Sequence, residues 1–154
     1  MSERIYFDNA ATSWPKPDAV YDAIDRFQRE VGVGFGRSTG AKPDQIRQMV
    51  LTLRQKLKTL VGASNSDEVI FTFNGTDSLN LAIHGHLRPG DHVITTTAEH
   101  NSVLRPLRHL EDRNLIEVSR VTCDDHGRVS AAAIQAELRP STKLVAVIPT
   151  SNVT

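Results

Sequence analysis

The hydrophobic rhythm of the chain changes once, at Gly62. Before it, apolar residues recur at helical spacing; after it, short apolar runs alternate with amphipathic stretches. From Asp18 to Val31, the residues Val20, Ile24, Phe27 and Val31 keep a three-to-four-residue period, which predicts a helix. GVGFGRSTGAKP follows, with three glycines in five residues and no periodicity, and reads as a loop. A second helix is predicted from about Asp44 to Val61, striped by Ile46, Met49, Val50, Leu53, Leu57 and Leu60 and closed by Gly62. Ahead of both helices, the first fifteen residues run into WPKP and form an arm or turn, not a helix.

Beyond Gly62 the runs EVIFTF, HVITTT, LIEVSRV and KLVAVIP read as four strands. Between them, residues 78–87, NSVLRPLRHLED and AAAIQAEL have helical spacing. Pro106 is expected in the first turn of its helix, or at a kink, and Ser130 is a candidate cap for the last. Strands alternating with helices imply parallel βαβ units, an α/β fold with a mostly parallel sheet and flanking helices. KLVAVIP is apolar on both faces, which predicts a strand buried on both sides.

Such sheets bind ligands beyond the carboxyl ends of their strands. Three polar clusters fall there: Asn74-Gly75-Thr76 after the first strand, Glu99-His100-Asn101 after the second, Thr150-Ser151-Asn152 after the fourth. The first stands where a strand gives way to a helix, whose first-turn amides lack intrahelical partners and suit an anion such as phosphate. A tight turn with an ordinary N-cap is the alternative at that position. His100 offers an imidazole that can stack on a flat ring or move a proton near neutral pH. Asn152 offers an amide for a hydroxyl or carboxylate. One planar phosphorylated ligand would satisfy all three clusters.

Composition narrows the partners. The chain has 154 residues, 39% hydrophobic and 23% charged, enough for a packed core. Its 18 basic and 18 acidic residues give no net charge, which argues against a nucleic-acid binder with a basic face. No run approaches a membrane span, and the start MSERIYFDNA lacks the apolar core of a secretory signal, so a cytoplasmic location is expected. The lone cysteine, Cys123, offers neither an internal disulfide nor a metal cluster and reads as a small packed residue; no metal site is predicted.

YFDNAATSWPKP, FTFNGTDSLNLAI, TTTAEHNSVLRPL and the terminal TSNVT, in this order and spacing, resemble the class V aminotransferase family, within it the cysteine desulfurase and selenocysteine lyase branch. The resemblance covers essentially the whole chain. It implies the N-terminal portion of the fold-type I, pyridoxal 5'-phosphate-dependent transferase fold. Residues 1–43 would be an arm, helix and glycine-rich loop, and 44–154 the first part of the large cofactor-binding domain. By the same resemblance Gly75 and Thr76 contact the cofactor phosphate, and His100 stacks on the pyridine ring. Asn152 approaches the ring hydroxyl and the substrate carboxylate, and Asn9, Ala10 and Ala11 lie near the substrate entrance. The implied activity removes sulfur from L-cysteine through an aldimine with the cofactor and a cysteine persulfide. The implied partners are an amino-acid substrate, a second copy in a homodimer of the full-length protein, and a sulfur-acceptor protein.

The sequence ends inside the last motif. The family's Schiff-base lysine, the aspartate facing the pyridine nitrogen, the substrate-binding arginine and the nucleophilic cysteine have no counterparts in it. Lys16, Lys42, Lys56, Lys58 and Lys143 all lie outside a lysine-motif context. The expectation is therefore a segment of a longer enzyme, inactive by itself. The family's sheet order, 3-2-4-5-6-7-1, would leave the first strand here without its neighbour while strands 2, 3 and 4 stay contiguous. Another class V aminotransferase or lyase, or a non-catalytic remnant, remains an alternative function. A dinucleotide-binding domain is disfavoured because no glycine fingerprint follows the first strand.

Overall fold

The computed structural model describes residues 5–36 and 39–150. The chain divides into two compact units, one ending at Ile70 and the other beginning at Phe71. In the first, α1 (Asp18–Arg26) passes into one π-helical turn, Phe27–Val31. Gly32, at φ 55°, closes that turn by donating its amide to Phe27 O at 2.9 Å. The second helix, α2 (Ala41–Val61), begins three residues earlier than its apolar stripe suggests. It stops at Gly62, whose φ of 69° is the left-handed conformation glycine adopts without steric cost.

The second unit is the α/β part. Its elements are α3 (Gly75–His86), β1 (Asp91–Thr96), α4 (Asn101–Asp112), β2 (Ile116–Val121), α5 (Ala131–Ala136) and β3 (Thr142–Val145). The three strands form a parallel sheet in the order β2-β1-β3. β1 is central, and its β-branched Val-Ile-Thr-Thr run is buried throughout. Val93 stands opposite Val118 on one side and Leu144 on the other, with a register irregularity between His92 and Val93 on the β3 side.

Helices α3 and α4 pack together on one face of this sheet. Ile83 and Leu87 from the α3 end, Val103 and Leu107 from α4, Val93 from β1 and Ile116 from β2 make the core. Each helix returns the chain to the start of a parallel strand, so α3 and α4 point the same way. Their N-termini lie at the carboxyl edge of the sheet.

Several sequence expectations need correction. EVIFTF is not a strand: Ser66–Glu68 is a 3-10 turn, and the run after it joins no ladder among the described residues. Extended backbone becomes a strand only when a neighbour takes its hydrogen bonds, and Ile70 and Phe73 remain 66% and 93% exposed. α3 starts at Gly75, three residues before its apolar period begins. Of the two placements expected for Pro106 the first is excluded, since it sits inside α4 beyond the first turn. Ser130 precedes α5 without a side-chain capping bond. The last strand is short and not buried on both sides, since Val145 and Val147 are 43% and 42% exposed. The strand order matches the contiguous 3-2-4 set that the resemblance implies.

Candidate functional site

Two helix starts define the site. At α3, Asn74 Oδ1 accepts the Asp77 amide at 2.9 Å, and an Asp77 carboxylate oxygen accepts the Phe73 amide at 3.2 Å. This reciprocal cap explains Asn at the cap and Asp three residues on. The amides of Gly75 and Thr76 lie between them in the first turn, where no intrahelical acceptor exists. Gly75 does not have a positive φ, and a Cβ built on it would meet nothing within 4 Å. Neither conformation nor crowding within the chain calls for glycine there, and the side of Gly75 where a Cβ would stand is open.

At α4 the cap is His100. Its Nδ1 accepts the Ser102 amide at 3.1 Å and lies 2.7 Å from Ser102 Oγ. An amide can only donate, so Nδ1 is the acceptor and the ring proton resides on Nε2. Ser102 is itself buried.

A cavity of about 440 Å³ runs between the two helices. Thr76, Asn80 and His84 line it from α3; His100, Arg105 and His109 line it from the α4 side. His84 and His109 meet edge-to-face, ring centroids 6.4 Å apart. Two helix N-termini and the Arg105 guanidinium bring positive charge to this groove, partly offset by the Asp77 carboxylate in the first turn of α3.

A second cavity, about 480 Å³, lies at the carboxyl ends of β1 and β3 beside the loop after β2; Thr96, His126, Arg128, Ile148 and Thr150 help line it. Glu99 is buried at this edge. Its Oε1 accepts the Ile148 amide at 2.5 Å and the Thr96 hydroxyl at 3.1 Å.

Thr76 and His100, expected in one site, line one cavity, with Gly75 next to Thr76. The third cluster separates from them: Thr150 lines the second cavity, and Asn152 lies outside the described residues. Asn9 and Ala10 belong to the first unit, where Asn9 Oδ1 accepts the Trp14 amide at 3.0 Å. Cys123 is half-buried, with Thr97 Oγ1 3.6 Å from its sulfur, in keeping with a packed residue. Among the described residues no cluster of three or more His, Cys, Asp or Glu could hold a metal ion. Sequence reasoning missed Asn80, His84, Arg105 and His109. Their signal was present: Thr76-Asn80-His84 and Asn101-Arg105-His109 each repeat every four residues, one polar stripe per helix.

A three-stranded parallel sheet flanked by helices, two of which start at its carboxyl edge, defines an α/β protein. More narrowly, the chain belongs to the class V aminotransferase family, whose model, "Aminotransferase class-V", matches residues 5–154. It is 32% identical to a selenocysteine lyase of Bos taurus and 33% identical to the cysteine desulfurase IscS of Dictyoglomus turgidum, in each case over 99% of this chain and 39% of the relative. The apo structure of a cysteine desulfurase from Thermococcus onnurineus NA1 superposes with a TM-score of 0.84 at 30% identity, over 96% of this chain and 37% of that one. The chain thus spans about two fifths of the length of these relatives. No described helix is long and apolar enough to cross a membrane.

Proposed function

We propose that this chain is the part of a pyridoxal 5'-phosphate-dependent, cysteine desulfurase-like enzyme that holds the cofactor's phosphate and one face of its ring. The observation that carries the reading is the meeting of Thr76 and His100 on one cavity between two parallel helix starts. Gly75 and Thr76 offer unengaged amides and an open approach, which fit a phosphate. The His100 ring is held by its cap through Nδ1, which leaves its face for stacking and keeps its proton on Nε2. When bound, the cofactor supplies an electron sink for bonds at the amino-acid carbon.

In the whole protein the substrate is an amino acid, cysteine by the branch. Asn152 would approach the ring hydroxyl and substrate carboxylate, and Asn9 and Ala10 the substrate entrance. The protein would act as a cytoplasmic homodimer that passes sulfur to an acceptor protein. Among the described residues, no lysine lines either of the two cavities described above. The chain by itself is therefore proposed to bind the cofactor reversibly and to release no sulfur from cysteine.

Equilibrium titration of the purified chain with pyridoxal phosphate tests this reading. Saturable binding is expected, weakened about two- to tenfold in His100→Ala by loss of ring stacking. Borohydride treatment should leave no lysine stoichiometrically labelled with a pyridoxyl group. Binding that ignores the His100 substitution, or stoichiometric labelling of one lysine with turnover of cysteine, would overturn it.

A further inference from the structure

The exit of β3 from the sheet differs from what a parallel ladder dictates. Such a ladder advances two residues per rung. The Ala146 amide donates to Ile94 O at 2.9 Å. The next rung would run from the Ile148 amide to the Thr96 carbonyl. Instead the Ile148 amide donates to Glu99 Oε1 at 2.5 Å. The carboxylate is held in place from its own side. Thr96 Oγ1 donates to the same oxygen at 3.1 Å and accepts the Ala98 amide at 3.2 Å, which closes the 96–99 turn on itself. Glu99 is only 9% exposed, and a charged acceptor makes the stronger bond.

We infer that Glu99 is a positioning residue: its carboxylate substitutes for a rung of the sheet, ends β3, and ties the path of residues 148–150 to the cap formed by His100. His100 is the next residue in the chain, and Asn152 follows Ile148 by four. One side chain thereby sets the spacing between a ring-facing element and the segment that leads to Asn152. The consequence for cofactor binding rests on the pyridoxal-phosphate reading; the tie itself does not.

Amide hydrogen exchange of the full chain, followed by NMR, decides it. Glu99→Asp keeps the charge but withdraws the oxygen by one methylene; Glu99→Gln keeps an acceptor at the original reach. Glu99→Asp should raise the exchange rate of the Ile148 amide about tenfold or more, from the loss of a hydrogen bond to a charged group. The amide of Val93, in the middle of β1, should keep its rate. Glu99→Gln should fall between Glu99→Asp and the parent. Unchanged exchange at Ile148 in Glu99→Asp would overturn the inference. So would equal acceleration at Ile148 and Val93, the mark of a merely global loss of stability. In a parallel titration, Glu99→Asp should weaken pyridoxal-phosphate binding and Glu99→Gln should restore part of it. A parent chain that takes up no cofactor defeats the proposed function, while the comparison of Ile148 with Val93 still decides the role of Glu99.

Discussion

Acidification is expected to destabilise the α/β unit through His92. This residue is 1% exposed in the central strand, and its ring is wired on both sides. Ser119 Oγ donates to Glu137 Oε2 at 2.7 Å, so it accepts from His92 Nε2–H at 3.0 Å. With the proton of the neutral ring on Nε2, Nδ1 is the acceptor, so Thr142 Oγ1, which itself accepts the Arg139 amide at 2.9 Å, donates to it at 2.8 Å. The neutral ring satisfies every partner, whereas a second ring proton would face the donor hydroxyl of Thr142. Burial, reinforced by the charge of Arg139, lowers the pKa of His92 below its ordinary 6.5; Glu117 and Glu137 oppose this without reversing it. The unfolded chain therefore binds a proton that the folded chain refuses. The His92 contribution is complete above about 6.5 and is lost as pH falls through the folded pKa. Within that window the loss cannot exceed about 1.4 kcal/mol per pH unit, the limit for one proton, against a typical total of roughly 5–15 kcal/mol. Urea unfolding at about pH 7.5 and about pH 5.5 measures it, with His92→Gln, which cannot gain a proton, as the reference. The parent should lose more stability than the variant over that interval. Equal losses, or a parent more stable in acid, would refute the reasoning. Glu111 does not confuse the window: its bond to Arg120 holds its carboxyl below the ordinary 4.5, so its contribution fades only in stronger acid.

Three other perturbations have defined outcomes. Leu107→Ala, at a fully buried α4 position, should cost about 2–5 kcal/mol in urea unfolding. Asn74→Ala removes the cap of α3 and should cost roughly 1 kcal/mol, with faster exchange at the Asp77 amide. Thr95→Val should stabilise the fold by about 1 kcal/mol, read as a higher melting temperature, because Thr95 Oγ1 is buried without a hydrogen-bond partner.

Local pattern carried the elements whose causes are local. The stripe of α2, the amphipathic period of α4 and the β-branched run of β1 were all readable, because period and propensity act within a few residues. EVIFTF misled for the opposite reason. Its residues favour extended backbone, but a strand is a property of two segments, and propensity is silent about the second. The same limit hid the network around His92, whose partners Ser119, Glu137 and Thr142 lie 27 to 50 residues away in sequence. At the site, Thr76 and His100 were legible through their place at helix starts. Asn80, His84, Arg105 and His109 were overlooked because a polar stripe on a helix ordinarily marks the solvent side. Only the parallel alignment of α3 with α4 turns the two stripes toward a shared groove.

That alignment also has a thermodynamic side. Helices laid side by side in the same direction bring like ends of their dipoles together, and Arg105 adds a full charge to the crowd. The Asp77 carboxylate in the first turn of α3 offsets part of this repulsion, and a counter-anion that settles in the groove relieves more of it. The arrangement that attracts an anion also weakens the fold in its absence, so occupancy and thermal endurance are two readings of one linkage. Sulfate or inorganic phosphate in the buffer would accordingly act as a partial chaperone for this chain, protecting it where chloride at equal ionic strength would only screen it.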